Sequence, residues 1–221
     1  MKDITALTVT YNTKDVFEKT YNSFKKHYPD IPLIVIDGSP EGSECYEYVK
    51  GLDCRKIQFG WNVGHGRGMD IGINLAETKY VVIFDSDIEI IKPPIEDMMK
   101  LFKKDTFGVG WLYDIHPEEV YKTRLSRWGE MPCIVPYFHI INKYNYMKFL
   151  PYVHSGAPCA LTMCDIFDKR CEDTLIDFPI KEYIKHPWRG TRDLFTNYEE
   201  KKLWEGQILP FSYFGKSSYI I

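Results

Sequence analysis

Short apolar runs alternate with amphipathic stretches along the first half of the chain. Ile4–Thr10 (ITALTVT) is β-branched and strand-like, and Leu33–Ile36, Arg55–Phe59, Val81–Phe84 and Phe107–Leu112 repeat the pattern. Between them the apolar spacing turns helical. Val16, Phe17, Tyr21, Phe24 and Tyr28 follow a Thr13 cap and stop at Pro29. Ser39-Pro40 reads as an N-cap and first helical position of a helix ending near Lys50. A glycine-rich entry, residues 61–72, opens a third helix with Met69, Ile73 and Ala76 on one face. Pro93-Pro94 starts a fourth, with Ile95, Met98, Met99 and Phe102 inward. Such alternation specifies a mostly parallel α/β sheet flanked by helices, with right-handed crossovers.

Beyond residue 112 the pattern loosens. Residues 113–135 show no periodicity, 142–149 read as helical, and Pro158 opens an apolar helix. Strand-like pieces in 175–184 lead to His186, and a last helix near 193–204 precedes an aromatic tail. We expect a single domain over 1–221, with a ligand-binding half at 1–112 and an irregular acceptor-side half at 113–221.

Polar residues punctuate the strand ends. Val81–Phe84 is apolar throughout, as in a strand buried on both faces, and it runs into Asp85-Ser86-Asp87. Two carboxylates so close repel unless a cation or proton lies between them. A hard divalent ion shared with phosphates suits them; an Asp-rich turn that merely ends the strand is the plain alternative. Tyr11-Asn12, Asp37-Gly38-Ser39 and Asn62-Val63-Gly64 occupy the equivalent places after the other strands. In a doubly wound sheet these tips converge on one rim. A ring, a carboxylate and backbone amides suit a nucleoside, and the Asp pair with its ion suits a diphosphate.

Composition narrows the classes. A net charge of −3 lacks the basic bias of a nucleic-acid binder. Six cysteines without zinc spacing read as free thiols of a reducing, cytoplasmic compartment. We expect no signal peptide, since Met1–Asp3 leads directly into a strand, and no apolar run approaches the ~20 residues of a membrane span.

In order and spacing, TVTYN, VIDGSP, NVGHGRGMDIGIN and VIFDSDIEI resemble the family 2 glycosyltransferases of the GT-A fold, over about the first 110 residues. The resemblance implies that Tyr11, Asn12 and Asp37 hold the base and ribose of a UDP-sugar, with Thr10 and Ser39 also among the residues that bind it. It implies that Asn62, Gly64, Arg67 and Asp70 line the sugar-nucleotide pocket, with Ser86 near the ribose. Asp85 and Asp87 would bind Mn2+ or Mg2+ with the diphosphate. The second motif has one acid where the family usually has two, and Asp70 stands where Asn is common. Further along, DFPIKEYIKHPWRGTR resembles the family's closing strand and loop, which nominates His186 as a metal ligand and Arg189 and Arg192 over the diphosphate.

The resemblance implies a metal-dependent, inverting transfer of sugar to a hydroxyl acceptor, a glycan or a lipid-linked molecule. VHSGAP resembles the segment where some relatives carry Asp before the Gly, which nominates His154 as the base, with Asp173 and Asp177 as competitors. A nucleotide-sugar-binding domain without transfer activity, a DxD phosphatase and a nucleotidyltransferase are the rival classes.

Overall fold

A computed structural model describes residues 3–115, 131–153 and 158–186. Strand β1 (Ile4–Thr10) pairs in parallel with β2 (Leu33–Pro40) on one side and β4 (Tyr80–Asp85) on the other, and β3 (Arg55–Gly60) extends the sheet beyond β2. Past β4 lies β7 (Met131–Asn142), antiparallel to β4 and to β6 (Gly108–Ile115); β8 (Leu175–Asp177) then pairs in parallel with β6. The order is β3-β2-β1-β4-β7-β6-β8. After β3 the chain returns past β1 to lay down β4, so the topological switch falls between β1 and β4, where open α/β sheets bind ligands. A two-stranded ribbon of β5 (Glu89–Ile90) and β9 (Ile184–Lys185) sits beside the main sheet.

Six helices flank the sheet among the described residues. Helices α1 (Lys14–His27), α2 (Glu44–Gly51) and α4 (Ile95–Met99) bury Phe17, Phe24, Cys45, Val49, Ile95 and Met98 against Ala6, Val35, Val82 and Phe84. On the other face, α3 (His65–Leu75), α5 (Lys143–Tyr146) and α6 (Ala160–Asp168) bury Met69, Ile73, Tyr146 and Met163 against Leu7, Ile36, Val81 and Ile83. Both faces of β4 are covered, so its apolar run Val81–Phe84 is continuous. No helix among the described residues is long and apolar enough to cross a membrane.

Two expectations are corrected. Ser39 and Pro40 do not open a helix: they end β2, and α2 begins after Ser43, whose side chain caps the Tyr46 N–H. The reason is local. Ser39 donates its N–H to Asp37 Oδ1, and its hydroxyl oxygen accepts the Asn12 N–H, each at 2.8 Å, so its side chain serves the tip of β1 and not a helix start. The second correction concerns the aperiodic stretch 113–135, whose end belongs to β7, a twelve-residue antiparallel strand inserted between parallel neighbours. Pro132 and Pro136 break the strand signal in the sequence, and the β6–β7 register shifts between Gly110 and Leu112. The helix expected near 193–204 lies outside the described residues.

Candidate active site

Four loop tips at the carboxyl rim are tied one to the next. The turn after β1 leaves Asn12 at φ 51° and hands its N–H to Ser39 Oγ. Asp37 is fully buried and holds its own turn through Ser39 N; its other oxygen accepts from Gln58 Nε2 at 2.9 Å. Gly38 packs on the third tip so closely that a Cβ would meet Trp61 O at 3.1 Å and Val63 N at 3.2 Å. That tip is closed by Asn62, whose Oδ1 accepts the Gly64 N–H at 2.9 Å. Gly64, at φ 84°, turns the chain into α3 in a conformation that side chains disfavour. The first residue of α3, His65, places Nε2 3.2 Å from Asp85 Oδ1 on the fourth tip.

Helix α3 reaches that rim because it lies directly on β1. A Cβ on Gly68 would come within 2.7 Å of Val9, and one on Gly72 within 2.1 Å of Leu7. Of the residues proposed to line the pocket, Arg67 is exposed on the first turn of α3 and Tyr11 is half-buried after β1. Thr10 is buried and faces Thr13 and Cys45. Asp70 accepts from Tyr146 Oη at 2.7 Å and from Asn74, so it ties α3 to α5. Burial raises its carboxyl above the usual range, and these two bonds oppose the rise.

Asp85, Asp87 and His186 form the metal candidate. Their ligand atoms lie within 4.8 Å of one another. His186 Nε2 stands 3.1 Å from Asp87 Oδ1 and 3.6 Å from Asp85 Oδ2 across 99 residues of chain from Asp87. The β5–β9 ribbon brings them together, pairing Glu89 with Lys185 and Ile90 with Ile184. Tyr137 of β7 stacks flat on the imidazole, with centroids 4.8 Å apart and planes 6° off parallel. Burial would lift the Asp85 carboxyl, but the rings of His65, then His186 and His139, hold it below its ordinary value. Burial likewise disfavours the His186 cation, and the hydrogen bond it donates to Asp87 with the charges of both carboxylates reverses this, raising its pKa.

The residues fit a divalent ion. Two carboxylates and one imidazole suit Mn2+, which accepts both oxygen and nitrogen donors. Asp85 Oδ1 is buried and accepts no aligned hydrogen bond, so this charged group has acceptor capacity to spare.

Sequence reading missed the scaffold beneath this site. Thr20 Oγ1 lies 2.9 Å from Ser86 O and 2.8 Å from Ile88 O, with its one proton between them. Ser23 Oγ accepts the Ile90 N–H at 2.8 Å, and His27 Nε2 lies 3.2 Å from Ile90 O. These polar groups recur on α1 at helical spacing, next to its apolar stripe. That is a signal: polar side chains on the inward arc of a helix need partners. Gln58, Tyr137 and His65 carried no comparable mark.

The acidic candidates for the base are not brought to this site. Asp173 is exposed in the short helical turn before β8, at the amino end of that strand and thus the opposite rim. Asp177 is on the correct rim, but it lies in one register row with Gly110, His139 and Ile83. Three strand spacings therefore separate it from β4, about 14 Å. Its Oδ1 accepts the Leu112 N–H at 2.8 Å, just past the last β6–β8 pair. His154, Arg189 and Arg192 lie outside the described residues.

Comparison with known proteins agrees with this geometry. Residues 5–170, three quarters of the chain, match the profile of Glycosyl transferase family 2. No curated protein matches by sequence. The solved mannosyltransferase PcManGT from Pyrobaculum calidifontis, in complex with GDP-Man and Mn2+, is 16% identical with a TM-score of 0.56, covering 80% of this chain and 55% of its own. Glucosyl-3-phosphoglycerate synthase from Mycobacterium tuberculosis, in complex with Mn2+, UDP and glucosyl-3-phosphoglycerate, is 14% identical with a TM-score of 0.60, covering 94% of this chain and 77% of its own. The chain thus spans little more than half of the mannosyltransferase. At these identities the structures share the fold. The profile match goes further, and by it the chain belongs to glycosyl transferase family 2.

Proposed function

We propose that this chain transfers a glycosyl group from a nucleotide-sugar, a UDP-sugar, to a hydroxyl acceptor, with inversion and with a divalent ion, Mn2+ or Mg2+, at Asp85, Asp87 and His186. The observation that carries this reading is the convergence of these three side chains, within 4.8 Å, at the carboxyl end of β4 beside the switch point. The neighbours' bound Mn2+, UDP and GDP-Man support the ligand classes.

The bound ion supplies positive charge where the departing diphosphate gathers negative charge, worth several kcal/mol. The protein does the rest. Asp37, buried and pinned from two sides, shapes the rim on which the nucleoside is assigned, together with Tyr11. The start of α3, with Arg67 and the first-turn amides that lack intrahelical partners, favours the anionic phosphates. Ser86 lies between the two acids, close to where the ribose must pass. For a single displacement a base takes the acceptor proton as its oxygen attacks the anomeric carbon, and the sugar–phosphate bond breaks on the opposite face. We assign that base to His154, two residues beyond Tyr152, which is anchored by its N–H to Tyr146 and by its hydroxyl to His139. Arg189 is assigned to the diphosphate by its place three residues after His186. The acceptor is a glycan, a small hydroxyl compound or a lipid-linked molecule.

The test is donor hydrolysis and transfer measured with Mn2+. Asp87→Ala lowers metal-dependent donor turnover by about 100-fold or more, and unchanged turnover would refute the assigned site. His154→Ala lowers transfer to acceptor while leaving nucleotide binding near the parent value; equal loss of both would make His154 structural.

A further inference from the structure

We propose that His65 is a positioning residue for the metal site: its ring N–H holds Asp85 Oδ1 so that Oδ2 is turned toward His186 and the ion. This deepens the metal-dependent reading and rests on it. The sequence motif carried His65 without assigning it a role.

The argument is one of partners. Three imidazoles lie around Asp85, those of His65, His186 and His139. Two of them are committed. His139 bonds Pro136 O at 3.1 Å through Nδ1 and meets Tyr152 Oη at 3.3 Å through Nε2. His186 stands against Asp87 and lies on the Oδ2 side of Asp85. The Oδ1 side is left to His65, whose Nε2 at 3.2 Å has no other hydrogen-bond partner among the described residues. At 3.2 Å the contact has ion-pair distance without the alignment of a hydrogen bond, which the ring gains by turning about its side-chain bonds.

The backbone fixes this approach. Gly64 sets the turn, and the Gly68 and Gly72 contacts clamp α3 on β1, so His65 is delivered to β4 by packing rather than by chance rotation. A helix start needs no imidazole for its own stability, because the first residue's amide is unpaired in any helix. A half-buried ring aimed at a carboxylate oxygen is what an outer partner of a metal ligand provides. Such partners fix ligand orientation, and losing one typically costs 10–100-fold in metal affinity.

Calorimetric titration of the apo protein with Mn2+ alone tests this, on the parent, His65→Phe, His65→Leu, His65→Gln and Asp87→Ala. Phe and Leu each weaken Mn2+ binding by about 10–100-fold. Gln, which keeps an N–H at similar reach, recovers most of it, and the electron paramagnetic resonance line shape of bound Mn2+ broadens in Phe and returns toward the parent in Gln. Melting in EDTA shows which variants are folded, and a folded Leu variant suffices if Phe is not. Parent-like affinity in a folded Phe or Leu variant overturns the inference alone. A parent that binds no Mn2+, or an Asp87→Ala variant that binds it as well as the parent, overturns the metal site and the inference together.

Discussion

Thr20 shows how one hydroxyl supports the chemistry of a neighbouring turn. Its oxygen sits between Ser86 O and Ile88 O, fully enclosed at 1% exposure, and so holds the turn that carries both acids. A buried carbonyl that loses its donor costs about 1–3 kcal/mol. Thr20→Val, isosteric and apolar, therefore lowers stability by that amount in urea titration and also weakens Mn2+ binding, because Asp85 and Asp87 lose their common anchor. A Val variant as stable as the parent would show that the turn stands without this bond. At this scale the sequence was informative only where chemistry and position coincide. Asp85 and Asp87 are legible because charge follows an apolar strand. Thr20 and Ser23 show in the sequence only a polar spacing beside the apolar stripe of α1; their partners, main-chain carbonyls and amides far away in the chain, do not show at all.

Among the elements, β7 was the least legible and is the most consequential. It separates the parallel block from β6 and carries Tyr137 to the site and His139 into the core. Burial drives the His139 pKa down to about 4, despite the help of Pro136 O and the Asp85 charge. The neutral tautomer with its proton on Nδ1 satisfies both neighbours, donating to Pro136 O and accepting from Tyr152 Oη. The sign follows directly. The unfolded chain binds a proton near pH 6.5 that the folded chain refuses until about pH 4, so His139 contributes stability above pH 6.5 that is lost as the pH falls toward 4. By pH 5 the loss from this residue is about 2 kcal/mol. Urea titrations at pH 7.5 and 5 on the parent and His139→Gln measure it: the variant is less stable at pH 7.5 but loses less on acidification. An equal loss in both would mean that His139 is solvated in the folded state.

Across the whole molecule, the candidate metal site joins distant parts of the chain. Asp85 ends the fourth strand and Asp87 lies in the turn after it, whereas His186 follows the last described strand. An ion held by all three therefore links the β5–β9 ribbon to the sheet. At a Mn2+ concentration of 100 times Kd, ligand linkage adds about 2.7 kcal/mol to stability. For a chain of this size that is a rise in Tm of roughly 5–10 °C. His186→Ala largely removes the rise, read for each protein as the difference between its melts with Mn2+ and in EDTA, because the variant also loses the Tyr137 stacking and the Asp87 contact. A full rise in the variant would place the ion elsewhere.

The amino-acid sequence by itself determined the alternation of strands and helices through residue 112, the apolar β4 strand, and the polar tips that follow it, because these depend on local periodicity and on neighbours in the chain. It also carried the family resemblance, in motifs close enough together to be read as one block. Only the tertiary structure decided that β2 runs on through Ser39, that β7 inserts antiparallel, and that Asp173 and Asp177 stand apart from the metal candidate. Only there do His65, Tyr137 and His186 meet the two acids. The physical reason is that pairing between strands and contact between side chains depend on distance in space, and a spacing of 99 residues leaves no periodic trace along the chain.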